Sequence, residues 1–162
     1  MVEREVLNKI ILSKYNLTIS PDEELILPPY KGSTLRGGFG SVFRRISCIE
    51  RNSKSCKKCL LREKCAYSYI FNTSPPFDSP LLKNLEDIPR PFIIEPPLDT
   101  RRIVNKNEIL IFNLILIGRA IEFLPYFIVA FRDLGETGIG RYRKKFRLKE
   151  ITTDSCSNQE KG

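Results

Sequence analysis

The sequence predicts an α+β domain of the ferredoxin-like (RRM-like) kind, with elements in the order β-α-β-β-α-β and a cysteine-rich insertion after the first helix. Three observations lead there. Apolar residues alternate with polar ones in short runs near both ends of the chain, two segments repeat their apolar residues with helical period, and four cysteines crowd into a stretch without either pattern. With 162 residues, 41% of them hydrophobic, the chain has material for one domain with a real core. That domain is expected over 1–153, followed by a polar, disordered tail at 154–162.

Each element has its own signal. Lys14-Tyr15-Asn16-Leu17-Thr18-Ile19 alternates polar with apolar, and Leu25-Ile26-Leu27 follows a Pro-Asp-Glu turn, so both read as strand. Ser33 is a good helix N-cap before apolar residues at 35, 39, 42, 43 and 46, one face of a helix ending near Ser47. Residues 48–88 hold Cys48, Cys56, Cys59 and Cys65, then many prolines, and read as a long irregular insertion. Strands return at Pro91 to Glu95, stopped by Pro96-Pro97, and at Ile109 to Ile117. A second helix is expected over roughly Arg119 to Leu134, with Pro125 either kinking it or opening its first turn. The last strand is expected from about Tyr142 to Thr152. Nearly every side chain from Ile109 to Ile117 is apolar, which predicts cover on both faces by a homodimer partner or a second domain.

Composition narrows the function. Lys plus Arg number 27 against 19 Asp plus Glu, a formal net charge of +8 that suits a polyanionic partner. There is no histidine, which excludes serine-type triads, His-based acid–base catalysis, paired-histidine zinc fingers and HExxH proteases within this chain. No apolar run is long enough to span a bilayer and no signal-peptide pattern opens the chain, so a cytoplasmic protein without membrane attachment is expected. A single Gln among abundant Ile, Lys, Glu and Arg suits a thermophilic source.

Two constellations carry chemistry. Cys48, Cys56, Cys59 and Cys65, spaced C-x7-C-x2-C-x5-C, are what a four-thiolate metal site needs, in a loop whose folding would draw on ligand binding. Structural zinc and a [4Fe–4S] cluster both suit the spacing, and disulfides without a metal are the third arrangement. Arg51, Lys54, Lys57, Lys58, Arg62 and Lys64 would lower the thiol pKa values. The second constellation is Gly135-Glu-Thr-Gly138-Ile-Gly140-Arg141, after a helix and before a basic strand. Its glycines would let backbone amides approach phosphate. Beyond it Arg141, Arg143, Lys145, Arg147 and Lys149 fall on one strand face about 6.6 Å apart, close to the phosphate spacing of an extended single strand. The plainer reading is a charged edge strand guarded against aggregation. Three glycines within LRGGFGSVF cost about 1 kcal/mol each in a helix, so close backbone or ligand approach is expected there, with Arg36, Arg44 and Arg45 nearby.

In combination the motifs point to a family. LPPYKGSTLRGGFGSVFRRISC, CKKCLLREKCAYSYIF, IPRPFIIEPPLD and LIGRAIEFLPYFIVAFRDLGETGIGRYRKKFRL follow one another over about residues 12–152. In this order they make the chain resemble the CRISPR-associated precursor-RNA-processing endoribonucleases of the RAMP superfamily, in the branch with a cysteine-bearing insertion. The resemblance implies a ferredoxin-like fold, binding of single-stranded or repeat CRISPR RNA, and metal-independent cleavage to a 2′,3′-cyclic phosphate. It also implies a glycine-rich loop matching Gly135, Gly138 and Gly140, and a second ferredoxin-like domain in tandem, this chain corresponding to the N-terminal half. Phosphates would be held by Arg36, Arg44, Arg45, Arg141, Arg143, Lys145 and Arg147. Many members use a histidine near the first helix, which no position here matches. Tyr30, Lys31 and Arg36 are then the candidates for positioning and charge stabilisation in cleavage. A non-catalytic RAMP subunit that binds RNA or helps assembly is the second reading, and an iron–sulfur DNA-binding protein the third.

Overall fold

A computed structural model describes residues 11–50, 56, 59–62, 64–72 and 88–153. The tail from 154, with Cys156, and most of the insertion, including Arg51, Lys54, Lys57 and Lys58, lie outside the described residues. The elements are β1 (Leu12–Pro21), β2 (Leu25–Ile26), α1 (Gly32–Ser47), α2 (Ala66–Phe71), β3 (Phe92–Glu95), β4 (Ile103–Val104), β5 (Leu110–Ile117), α3 (Leu124–Thr137) and β6 (Phe146–Thr153). A 3₁₀ segment, Gly118–Phe123, leads into α3, and Pro125 sits in that helix's first turn, where its missing N–H costs nothing.

The main sheet is antiparallel with order β3-β5-β1-β6, so β1 and β5 are central. β2 and β4 form a separate two-stranded ribbon. This is the ferredoxin-like arrangement, with α1 and α3 on one face. The helices meet the sheet through a phenylalanine cluster: Phe39 stacks on Phe127 and Phe131, with ring centroids 4.9 and 4.8 Å apart. Leu35, Phe39, Val42 and Phe43 are buried, as the helical period predicts, and Gly38 lets α1 approach Leu134 of α3.

Three details differ from the sequence reading. Helix α1 begins at Gly32, with Lys31 at its N-cap, and Ser33 lies exposed within the first turn. The last strand begins only at Phe146, because residues 141–143 are in a turn in which Arg143 adopts a left-handed φ of 49°. A register shift between Thr18 and Ile19 bulges β6 around Lys149, so the five basic residues do not share one strand face. On β5, Leu110, Phe112, Leu114 and Leu116 face the helices, while Ile111 is 51% exposed on the other side, a face that also carries Ile93 at 47%. Among the described residues nothing covers that outer face, although its strand is apolar on both sides. At its centre Asn113 donates to Glu95 at 2.6 Å, and Lys14 pairs with Glu95 at 3.2 Å.

Candidate nucleic-acid interface

The turn between α3 and β6 is built by its glycines. Gly138 has φ +86°, and a β-carbon there would run into the Arg143 carbonyl. At Gly140, with φ +76°, a β-carbon would stand 3.0 Å from the Ile26 carbonyl oxygen on the β2–β4 ribbon. Gly135 is absorbed by packing, since a β-carbon would meet the Phe146 carbonyl of β6. The amides expected to meet phosphate are partly engaged at home: Gly138 donates to Leu134 O at 2.8 Å and Ile139 to Lys144 O at 2.9 Å. The loop sets the shape of this corner and the placement of Arg141 and Arg143.

That turn, the ribbon and the exposed side of α1 enclose a groove of about 740 Å³. Gly37, Gly38 and Ser41 line it from α1, and Arg45, Arg102, Arg141 and Arg143 bring positive charge to it. Arg45 is held by Asp133 at 3.3 Å and Thr137 at 3.1 Å. Arg102, Arg141 and Arg143 are exposed and have no carboxylate partner among the described residues. Arg102 was not singled out from the sequence. It reaches the groove because Leu27 N–H donates to its carbonyl at 2.8 Å, a contact between segments far apart in the chain.

The other candidate residues lie elsewhere. Arg36 belongs to a second groove on the far side of α1, stacked over Phe92 at 4.6 Å. Arg44 lines the cysteine cavity. Arg147 is engaged by Asp22 at 2.8 Å, and Lys144 by Glu23, so acids of the β1–β2 turn neutralise part of the basic run. Lys145 stays exposed beside them, just before what is an edge strand. Tyr30 is exposed, its ring lying over Gly32.

Lys31 differs most from expectation. Its ammonium is fully enclosed, donating to Asp99 Oδ1 at 2.9 Å and to Asp99 O at 2.8 Å. A second contact runs to Pro29 O at 3.5 Å. It ties the loop before α1 to the loop after β3. The hydrogen bond from Lys31, with the charges of Lys31 and Arg101, holds the Asp99 carboxyl below the usual carboxylate range.

Cys48, Cys56, Cys59 and Cys65 are free thiols lining one cavity of about 10 Å³, together with Arg44, Glu50, Arg62 and Ser68. Burial, and then the neighbouring Cys48 and Cys65, push the Cys56 thiol up, with Arg44 opposing. The donor set matches a tetrathiolate site, although among the described residues no three ligating side chains are already drawn together as a cage.

No helix among the described residues is long and apolar enough to cross a membrane. By sequence, the chain is 28% identical over 134 residues to an uncharacterized protein of Archaeoglobus fulgidus. The match covers 83% of this chain and 43% of that relative's length. By fold, it superposes on a chain of the Csm3–Csm4 subcomplex of the type III-A CRISPR-Cas interference complex with a TM-score of 0.54. That superposition has 15% identity and covers 88% of this chain and 77% of the other. A Cas6 product complex aligns with a TM-score of 0.46 and 13% identity, over 87% of this chain and 40% of the other. The AF_1859_N family, described as an N-terminal domain, matches residues 9–161, nearly the whole chain, and to that family this chain belongs.

Proposed function

We propose that this domain binds single-stranded RNA as a module of a CRISPR ribonucleoprotein, gripping phosphates in the groove between α1 and the α3–β6 turn. The observation that carries the reading is the trio Arg102, Arg141 and Arg143, which line a groove floored by glycine and serine without carboxylate partners among the described residues. A phosphodiester supplies the missing counter-charge, and an open backbone floor admits it closely. The ferredoxin-like fold shared with a CRISPR interference subunit agrees with this.

Two readings of chemistry divide from there. As the N-terminal half of a processing endoribonuclease, the domain would position a ribose 2′-hydroxyl against the adjacent phosphate, with Tyr30 and Arg36 at the open face of α1. As a non-catalytic subunit it would hold RNA alone, a reading favoured by the absence of histidine and by the enclosure of Lys31. We further propose a single structural zinc ion on Cys48, Cys56, Cys59 and Cys65, since a cavity of about 10 Å³ suits one ion better than a four-iron cube. A second ferredoxin-like domain would cover the outer face of β5 and β3.

Labelled CRISPR repeat RNA, incubated with the chain without added metal for binding and with EDTA for cleavage, tests the two RNA readings. Binding that weakens steeply with salt is expected, and its slope should fall by about 1.4 in Arg141→Ala/Arg143→Ala, at roughly 0.7 per phosphate contact. One specific cut with a cyclic-phosphate end would select the endoribonuclease. No binding even at low salt would overturn the RNA reading.

A further inference from the structure

The glycines of α1 do not all have a packing reason. Gly38 faces Leu134, where a β-carbon would stand 2.9 Å from a methyl group, and Gly40 faces Phe71 at 3.2 Å. A β-carbon at Gly37 would find no other atom within 4 Å among the described residues. Glycine inside a helix is destabilising relative to alanine, and here no neighbouring element requires it. Close approach by something outside the domain is the remaining reason of the usual kind.

Gly37 lies on the rise between two basic grooves. The first is the arginine groove already described. The second, about 530 Å³, shares Ser33, Gly37 and Ser41 with the first and carries Arg36 and Arg90 on the side of the insertion. Arg90 is exposed and anchored through Nε to the Phe71 carbonyl at 2.9 Å, and Arg36 lies over the Phe92 ring. Neither has a carboxylate partner among the described residues. Burial, and then the charge of Arg90, lower the Arg36 pKa, so two guanidinium groups repel across this groove. An anion between them would relieve that repulsion.

Resting on the RNA-binding reading, we infer that the RNA strand crosses α1 over Gly37, with Arg36 and Arg90 holding a phosphate in a second subsite beyond the helix. A helix is about 10 Å across, so a crossing takes a few nucleotides. A strand too short to cross occupies one groove only.

The test compares oligouridylates of about 20 and about two nucleotides by fluorescence anisotropy between about 50 and 200 mM salt. On the long RNA, Arg36→Ala/Arg90→Ala should lower the salt slope by about 1.4. The native chain would then lose about sevenfold more affinity than the variant across that range. Gly37→Glu should weaken the long RNA about tenfold or more with no loss of melting temperature, since the position is open. Gly37→Ala should raise the melting temperature yet weaken the same RNA. Binding of the two-nucleotide RNA should respond to Arg141→Ala/Arg143→Ala and not to Arg90→Ala. If the Gly37 and Arg90 variants bind the long RNA as the native chain does, while Arg141→Ala/Arg143→Ala loses it, the crossing is refuted and the groove reading stands. If the native chain binds neither RNA, both fall together.

Discussion

Lys31 and Asp99 form a pair whose two halves should cost different amounts to remove. Asp99→Asn keeps the shape of the acceptor and strips its charge, leaving an ammonium with no exposure and only neutral oxygens around it. Breaking a fully buried pair this way costs about 3–5 kcal/mol. The Asp99 side chain is 40% exposed and the Asp99 and Pro29 carbonyls remain as acceptors, so about 2 kcal/mol is expected here. Lys31→Met instead removes the ammonium and keeps the aliphatic stem. It orphans the Asp99 carbonyl but also removes the desolvation of a charge, for a net loss of about 1 kcal/mol. Thermal unfolding reads both: about 4–8 °C lower for Asp99→Asn and about 2–4 °C lower for Lys31→Met.

The pH dependence has a definite sign. The folded Asp99 carboxyl titrates below its unfolded value near 3.8, so its contribution is complete above that value and lost as pH falls through the folded one. The gap between the native chain and Asp99→Asn should therefore be full at neutral pH and close in acid. RNA binding by Lys31→Met should match the native chain once both are folded. If both variants melt like the native protein while Lys31→Met abolishes RNA binding or cleavage, Lys31 works at the surface and the enclosed-pair argument fails.

Gly138→Ala should destabilise by about 3 kcal/mol in urea unfolding, because φ +86° and the Arg143 carbonyl both oppose a β-carbon; a loss below about 1 kcal/mol would contradict the turn geometry. Arg143→Gly relieves a left-handed arginine and should leave stability unchanged or raise it by up to about 1 kcal/mol, while weakening RNA binding. Phe39→Ala removes the ring at the centre of the aromatic cluster and should cost about 3–5 kcal/mol. Elemental analysis of the native chain should find stoichiometric zinc that disappears in Cys59→Ser, with protease cleavage appearing between Cys48 and Cys65; metal-free native protein would remove the ion from the account.

The frame was legible because burial leaves a period. Leu35, Phe39, Val42 and Phe43 face the sheet at helical spacing, and Leu17 and Ile19 face the helices at strand spacing. The outer face of β5 was legible as an anomaly for the same reason. What could not be read depends on contacts between distant segments. The β2–β4 ribbon is two residues long on each side, too short to show alternation, yet it delivers Arg102. Basic residues at 141, 143 and 145 keep the spacing of one strand face, but the left-handed turn at Arg143 intervenes. Lysine is rarely enclosed, so nothing in Pro-Tyr-Lys-Gly announces a partner 68 positions away. The three helix glycines look equivalent in sequence, and only packing separates Gly37 from Gly38 and Gly40.

The Lys14–Glu95–Asn113 cluster sits in the middle of an otherwise isoleucine-rich sheet face, with the Glu95 carboxyl held low chiefly by its hydrogen bonds from Asn113 and Lys14. Any layer laid over that face must take water from Glu95 and Lys14, both still partly wet. An apolar surface of the wrong shape would strand them at a cost of several kcal/mol. A matched one brings a donor or acceptor to the same spot and fixes its own alignment in doing so. The cluster would then act as a checkpoint for any such association: the isoleucines would make contact favourable with many surfaces, and the polar side chains would restrict lasting contact to one that answers them.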